Sequence, residues 1–190
     1  MSKLIIDRDF MSLPLTGMQF GVFLSAMDLG TIYRDQIVLC DKSIYFNMMD
    51  KLPTQRQRED VREAMEFLIE EGHVVAEEIG HGFYIVDCQR SFHNELSQLP
   101  HGGKLLMYED LKKIMQSGQS WQGALRYYLM LAEHMKKDNM CSFSRQYFAG
   151  KLDMNELTLT KYNNKLKDLG VISIARRKDM PSYYYLNQST

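Results

Sequence analysis

Residues 158–185 read TLTKYNNKLKDLGVISIARRKDMPSYYY, and the fold turns on how they are parsed. Leu159, Leu166 and Leu169, with Tyr162 or Asn163 between them, recur at helical spacing and mark a buried stripe. Thr160, Lys161, Asn164 and Lys165 share the opposite face. Gly170 suits the position just past a helix end, where a positive φ is needed. VISIA then alternates as a strand, RRKDMP turns, and SYYYL returns as its hairpin partner. The tyrosines at 183–185 are expected to pack on the core with one ring outward, since aromatics suit half-buried strands.

Upstream of this stretch a short helix is expected from Ser144 through Phe148 and Leu152. A polar break at 153–156 separates it from the next helix, which should start near Thr158. Further back, SWQGALRYYLMLAEHMKKD (120–138) offers Ser120 as an N-cap, with Trp121, Leu125, Tyr128, Leu129, Ala132 and Met135 on one face.

The first half repeats this grammar. KLIIDRDFMSL (3–13) aligns with KLLMYEDLKKI (104–114) at an offset of 101, both opening on a short apolar strand. MEFLIEEGHVVAEEIGHGFYIVD (65–87) aligns with NNKLKDLGVISIARRKDMPSYYYLN (163–187), and Gly72 meets Gly170 at an offset of 98. In TGMQFGVFLSAMDLG (16–30), Thr16 caps a helix, Phe20, Phe23, Leu24 and Met27 line its face, and Gly30 stops it. DQIVLCDKSIYFNMM (35–49) is apolar enough for a strand or a packed helix. Two units are therefore expected, at 1–88 and 104–190, with QRSFHNELSQLPHGG (89–103) as the linker.

Helix, helix, turn, helix, hairpin is the order of the second half, and its small helix, polar turn, helix with buried positions and Leu-Gly-apolar-apolar run into the hairpin span Ser144 to Leu186. It resembles the winged helix-turn-helix superfamily. The implied fold is α+β, two such units forming an internal pseudo-dimer. The resemblance further implies that the helix over 158–169 enters the major groove of double-stranded DNA while the hairpin rests on the backbone. Within that architecture the chain resembles small DNA-binding proteins of bacterial mobile elements, namely transfer-operon regulators of conjugative plasmids and, more loosely, plasmid replication initiators.

The residue types fit that implication. Lys161 and Lys165 can reach phosphates or guanine edges, and Thr160 and Asn164 can hydrogen-bond base edges, beside Arg145 and Thr158. Arg176, Arg177 and Lys178 at the hairpin tip suit phosphate or minor-groove contact. Charge supports the assignment: residues 1–100 hold nine Lys and Arg against sixteen Asp and Glu, a net of −7. Residues 101–190 hold fourteen against eight, a net of +6. In the first unit the positions matching Thr160, Lys161 and Asn164 become Arg62, Glu63 and Glu66, and the hairpin carries Glu77 and Glu78. DNA contact there is expected only from Gln55, Arg56, Arg58 and Arg62 at the helix start, so the unit serves mainly as structure or as a protein-partner surface.

Other chemistries find no support in the pattern. His73, His81, Cys88 and His93 lack metal-ligand spacing, and Gly80-His81-Gly82 is a hairpin turn rather than a phosphate loop. No nucleophile–base arrangement stands out, so neither an enzyme nor a cofactor is expected. Cys40, Cys88 and Cys141 are an odd, widely spaced set, which speaks against a disulfide framework. No apolar run approaches a membrane span, and the N-terminus does not resemble a signal peptide. The expectation is a monomeric cytoplasmic regulator that binds double-stranded DNA. The alternatives are a plasmid or phage replication initiator, and a tandem winged-helix adaptor that binds protein instead of DNA.

Overall fold

The computed structural model describes residues 2–31, 33, 35–93, 95–136, 139–178 and 180–187, with Gln98 by its backbone only. The first half runs β1 (Lys3–Asp7), α1 (Arg8–Ser12), α2 (Gly17–Gly30), β2 (Gln36–Cys40), α3 (Asp41–Met49), α4 (Gln55–Glu70), β3 (Ala76–Gly80), β4 (Phe83–Asp87) and α5 (Cys88–Ser91). The second runs β5 (Gly103–Met107), α6 (Tyr108–Met115), α7 (Trp121–His134), β6 (Met140–Cys141), α8 (Arg145–Leu152), α9 (Glu156–Asp168), β7 (Ile172–Arg177) and β8 (Met180–Leu186). The class is α+β, and apart from α5 the two halves list the same elements in the same order. The apolar stretch at 35–49 is both of its readings, a strand and then a helix.

Sheet topology repeats as well. Each half holds a three-stranded antiparallel sheet, ordered β2-β4-β3 and β6-β8-β7. The opening strands β1 and β5 pair antiparallel with each other, Leu4 opposite Leu106 and Ile5 opposite Leu105. That ladder and the packing of α2 against α7 join the halves into one continuous core.

The crossing of α2 and α7 explains a pattern that one-face periodicity understates. Along α7, Ala124, Leu125 and every residue from 127 to 132 are buried, because the helix is covered on all sides. Gly17 lies against the backbone of Gln122, and Gly21 against Trp121, Met115 and Met48, with no space for a Cβ at Gly17. Small residues let the axes approach. Leu24, Leu125 and Leu129 are fully buried here, each worth about 1.5–3 kcal/mol in transfer from water.

Helix ends are set by local chemistry. Thr16 and Gln19 form a reciprocal capping box at α2, and Thr54 and Gln57 form another at α4. Gly72 and Gly170 follow α4 and α9 at φ 74° and 72°, as their position requires. Asp50 and Asp153 end α3 and α8 in the left-handed region, at φ 52° and 51°.

Several expectations are corrected. Helix α9 begins at Glu156, two residues before Thr158, because Asn155 caps it by accepting the Thr158 N–H at 2.7 Å. Ser120 precedes α7 at φ 67° and makes no side-chain cap bond. Gly30 does not stop α2 by a positive φ; it is the last helical residue, and a Cβ there would meet Phe92 at 2.9 Å. Only Tyr184 of the three tyrosines is buried, while Tyr183 and Tyr185 share the other face of β8. Arg176 and Arg177 belong to strand β7, which leaves Lys178 in the turn. Helix α7 ends at His134; Lys137 and Asp138 of its expected C-terminus, and Asp179 of the hairpin turn, lie outside the described residues.

Candidate nucleic-acid interface

Helix α9 buries Leu159, Asn163 and Leu166 and leaves Leu157, Lys161 and Asn164 exposed. Between it and the β7–β8 hairpin runs a groove of about 400 Å³. Four cations line it, Arg145, Lys167, Arg176 and Arg177, together with Thr160, Asn164, Ser182 and Met180. Among the described residues no carboxylate lines it. None of the four cations forms an ion pair among the described residues. Like charges gathered without a counter-charge repel one another, and an anion entering the groove relieves that cost.

Each side chain is positioned by its element. Arg145 opens α8, and its guanidinium donates to Thr160 Oγ1 at 3.0 Å, which holds it over α9. Thr160 Oγ1 in turn donates to the Glu156 carbonyl at 2.9 Å, a bond within the helix. Arg177 is a strut: it donates to the Pro181 carbonyl, Tyr183 Oη and Ser142 Oγ at 2.8, 2.9 and 2.8 Å. Its guanidinium carbon also sits 3.9 Å above the Tyr183 ring. At the floor, Tyr127 Oη donates to Asn163 Oδ1 at 2.9 Å beside Tyr184. Burial pushes both phenols above their ordinary pKa, so both stay neutral.

The groove thus unites Arg145, Thr160, Asn164, Arg176 and Arg177 of the expected site. Lys161 stands beside it with Asn164, on the outward face of α9. Three expected residues lie elsewhere. Lys165 donates its ammonium to the carbonyls of Ser117 and Gln119 at 3.2 and 2.6 Å, tying α9 to the loop after α6. Thr158 is half-buried in the first turn of α9, and Lys178 is exposed in the hairpin turn. Lys167, Ser182, Met180 and Asn163 were missed. Lys167 was legible, since it falls three residues after Asn164 and seven after Thr160, on one helical face.

The corresponding place in the first half is filled. Asp41 opens α3 as Arg145 opens α8, and its side chain is only 2% exposed. Arg62 Nε lies 2.7 Å from Asp41 Oδ2, and Arg58 Nε lies 3.1 Å from the same oxygen. Arg62 also donates to the His81 carbonyl at 3.3 Å. The hairpin folds onto this cluster: the Asp41 N–H donates to the Gly82 carbonyl at 2.9 Å, and a Cβ on Gly82 would meet Arg62 Nε at 2.5 Å. Two of the four first-half residues expected at DNA are therefore engaged within the fold. Gln55 donates to Glu59 at 2.8 Å, and Arg56 is exposed beside Asp60 and Glu63.

Among the described residues no group of three His, Cys, Asp or Glu side chains is placed to hold a metal ion. No described helix is long and apolar enough to cross a membrane. The chain matches no protein-family model and no curated protein sequence.

Proposed function

We propose that the chain is a double-stranded DNA-binding protein built from two winged helix-turn-helix units related by internal duplication. Its second unit reads the duplex. One observation carries the reading: the groove between α9 and the β7–β8 hairpin gathers Arg145, Lys167, Arg176 and Arg177 with no opposing carboxylate among the described residues, while Asp41 and the hairpin close the matching place in the first unit. The guanidiniums and the ammonium take phosphate oxygens, and Lys161 and Asn164 on the outward face of α9 meet base edges. The role that suits such a module is regulation of transcription on a mobile element. Anisotropy of a mixed-sequence duplex titrated across salt tests the DNA reading, and a footprint confined to one operator, rather than spread over spaced origin repeats, separates regulation from replication initiation.

A specific observation favours a second reading for the first unit. Val38, Ile79 and Phe83 are 59%, 54% and 47% exposed in the sheet β2-β4-β3, where Glu77 is exposed as well. An apolar patch beside an acid suits a protein partner. Pull-down from nuclease-treated extract, lost on Phe83→Lys, tests that adaptor role.

A further inference from the structure

A second hollow, of about 340 Å³, opens between β1, α1, α2, the turn after α4 and the segment that follows α5. Its walls are aromatic. Phe10 and Phe23 lie with ring centroids 4.0 Å apart, Phe92 stands edge-on to Phe23 at 5.7 Å, and His73 stands edge-on to Phe10 at 5.4 Å. The volume falls at the small end of ligand pockets, which suits a body of one or two fused rings.

The rim carries Asp7, Asp9 and Arg90, and their states differ. Asp7 Oδ1 accepts the Asp9 N–H at 2.9 Å, capping α1. The Asp9 carboxylate lies 3.8 Å from His101 Nε2. Arg90 is exposed and forms no ion pair among the described residues; Asp87, one turn before it, accepts only its backbone N–H, at 3.0 Å. The Asp7 carboxylate is engaged as a cap and Asp9 lies beside His101, so Arg90 is the rim group left to meet an anion, and an aromatic floor beside it describes a ligand with a flat apolar body and one anionic group.

We infer that this hollow binds a small aromatic carboxylate, its ring against Phe10 and Phe23 and its carboxylate on Arg90. The inference stands apart from the DNA reading. Strand β1 forms one wall and also pairs with β5, so an occupant rests on the ladder that joins the halves.

The test is calorimetric titration of the full chain with 2-naphthoate. A single saturable site is expected. Arg90→Ala weakens it about tenfold or more, as removal of a charge-assisted bond does. The uncharged 2-naphthylmethanol binds wild type and Arg90→Ala alike. Leu13→Trp, which fills the hollow from α1 and is checked for folding by circular dichroism, abolishes binding. Absence of saturation, naphthoate affinity unchanged in Arg90→Ala, or wild-type affinity in folded Leu13→Trp each overturns the assignment.

Discussion

Arg62 Nε sits 2.7 Å from Asp41 Oδ2 in the first half, where the second half sets Arg145 3.0 Å from Thr160. The same two helix positions thus make a closed, ion-paired cluster in one half and an open cationic groove in the other. The two ends of the ion pair differ in exposure, Asp41 at 2% and the arginines at about a quarter. Removing the arginines strands a buried carboxylate, whereas removing Asp41 leaves cations that reach water. The double variant Arg58→Ala/Arg62→Ala is therefore expected to lower the thermal midpoint more than Asp41→Ala does. Scanning calorimetry checks the order, and the reverse order contradicts it.

Lys165 and Lys167 are two residues apart and have different work. Lys167 lines the groove, while Lys165 satisfies the Ser117 and Gln119 carbonyls. Lys167→Ala should weaken duplex binding and leave stability unchanged. Lys165→Ala should cost about 1 kcal/mol of stability, because two carbonyls lose a charged donor. Urea melts and DNA titrations of both variants read this crossing pattern directly.

Tyr84 and Tyr184 lie on β4 and β8, the central strands of the two three-stranded sheets, and both are buried. Tyr84 Oη has no hydrogen-bond partner among the described residues, whereas Tyr127 beside Tyr184 donates to the buried Asn163. Tyr84→Phe should be neutral or stabilising. Tyr127→Phe leaves Asn163 Oδ1 short of a donor and should cost about 1–3 kcal/mol. Equal effects in urea melts would remove the distinction.

Alkaline pH should unfold the protein from its tyrosines. Burial pushes Tyr84 up to about 12 and raises Tyr45, Tyr108, Tyr127, Tyr128 and Tyr184 as well. In the unfolded chain these phenols ionise near 10. Above that pH the unfolded state holds fewer protons than the folded state, so stability falls as pH rises. Urea midpoints should be flat with respect to these groups below pH 9 and decline from about pH 10 toward 12. A midpoint that rises over that window contradicts the burial argument.

How far the chain could be read depends on what each feature rests on. Thr16, Gly72, Gly170 and the Leu159–Leu166 spacing act within about two turns of backbone, and local chemistry reveals them. The repeated element order followed from such signals. The β1–β5 ladder was not legible, since it pairs Leu4 with Leu106 across the chain and no turn sets its register. Gly30 read as a helix stop, yet its reason is close approach to Phe92, and Gly17, which was not singled out, lies against Gln122. At the candidate site, cation positions on α9 and β7 could be read from periodicity. Their partners could not: Lys165 meets carbonyls 46 and 48 residues away, and Arg62 meets a carboxylate 21 residues away. Those partners separate the residues that line the groove from those that hold the fold.

On the proposed function, the α9–hairpin groove binds duplex DNA through Arg145, Lys167 and Arg176. The most direct measurement is the salt dependence of duplex affinity for the wild type and for Arg145→Ala/Lys167→Ala/Arg176→Ala, with folding checked by circular dichroism. Three lost phosphate contacts predict a log–log slope shallower by about 2.7, with weaker binding at every salt concentration. A folded triple variant with the wild-type slope and affinity would contradict the account.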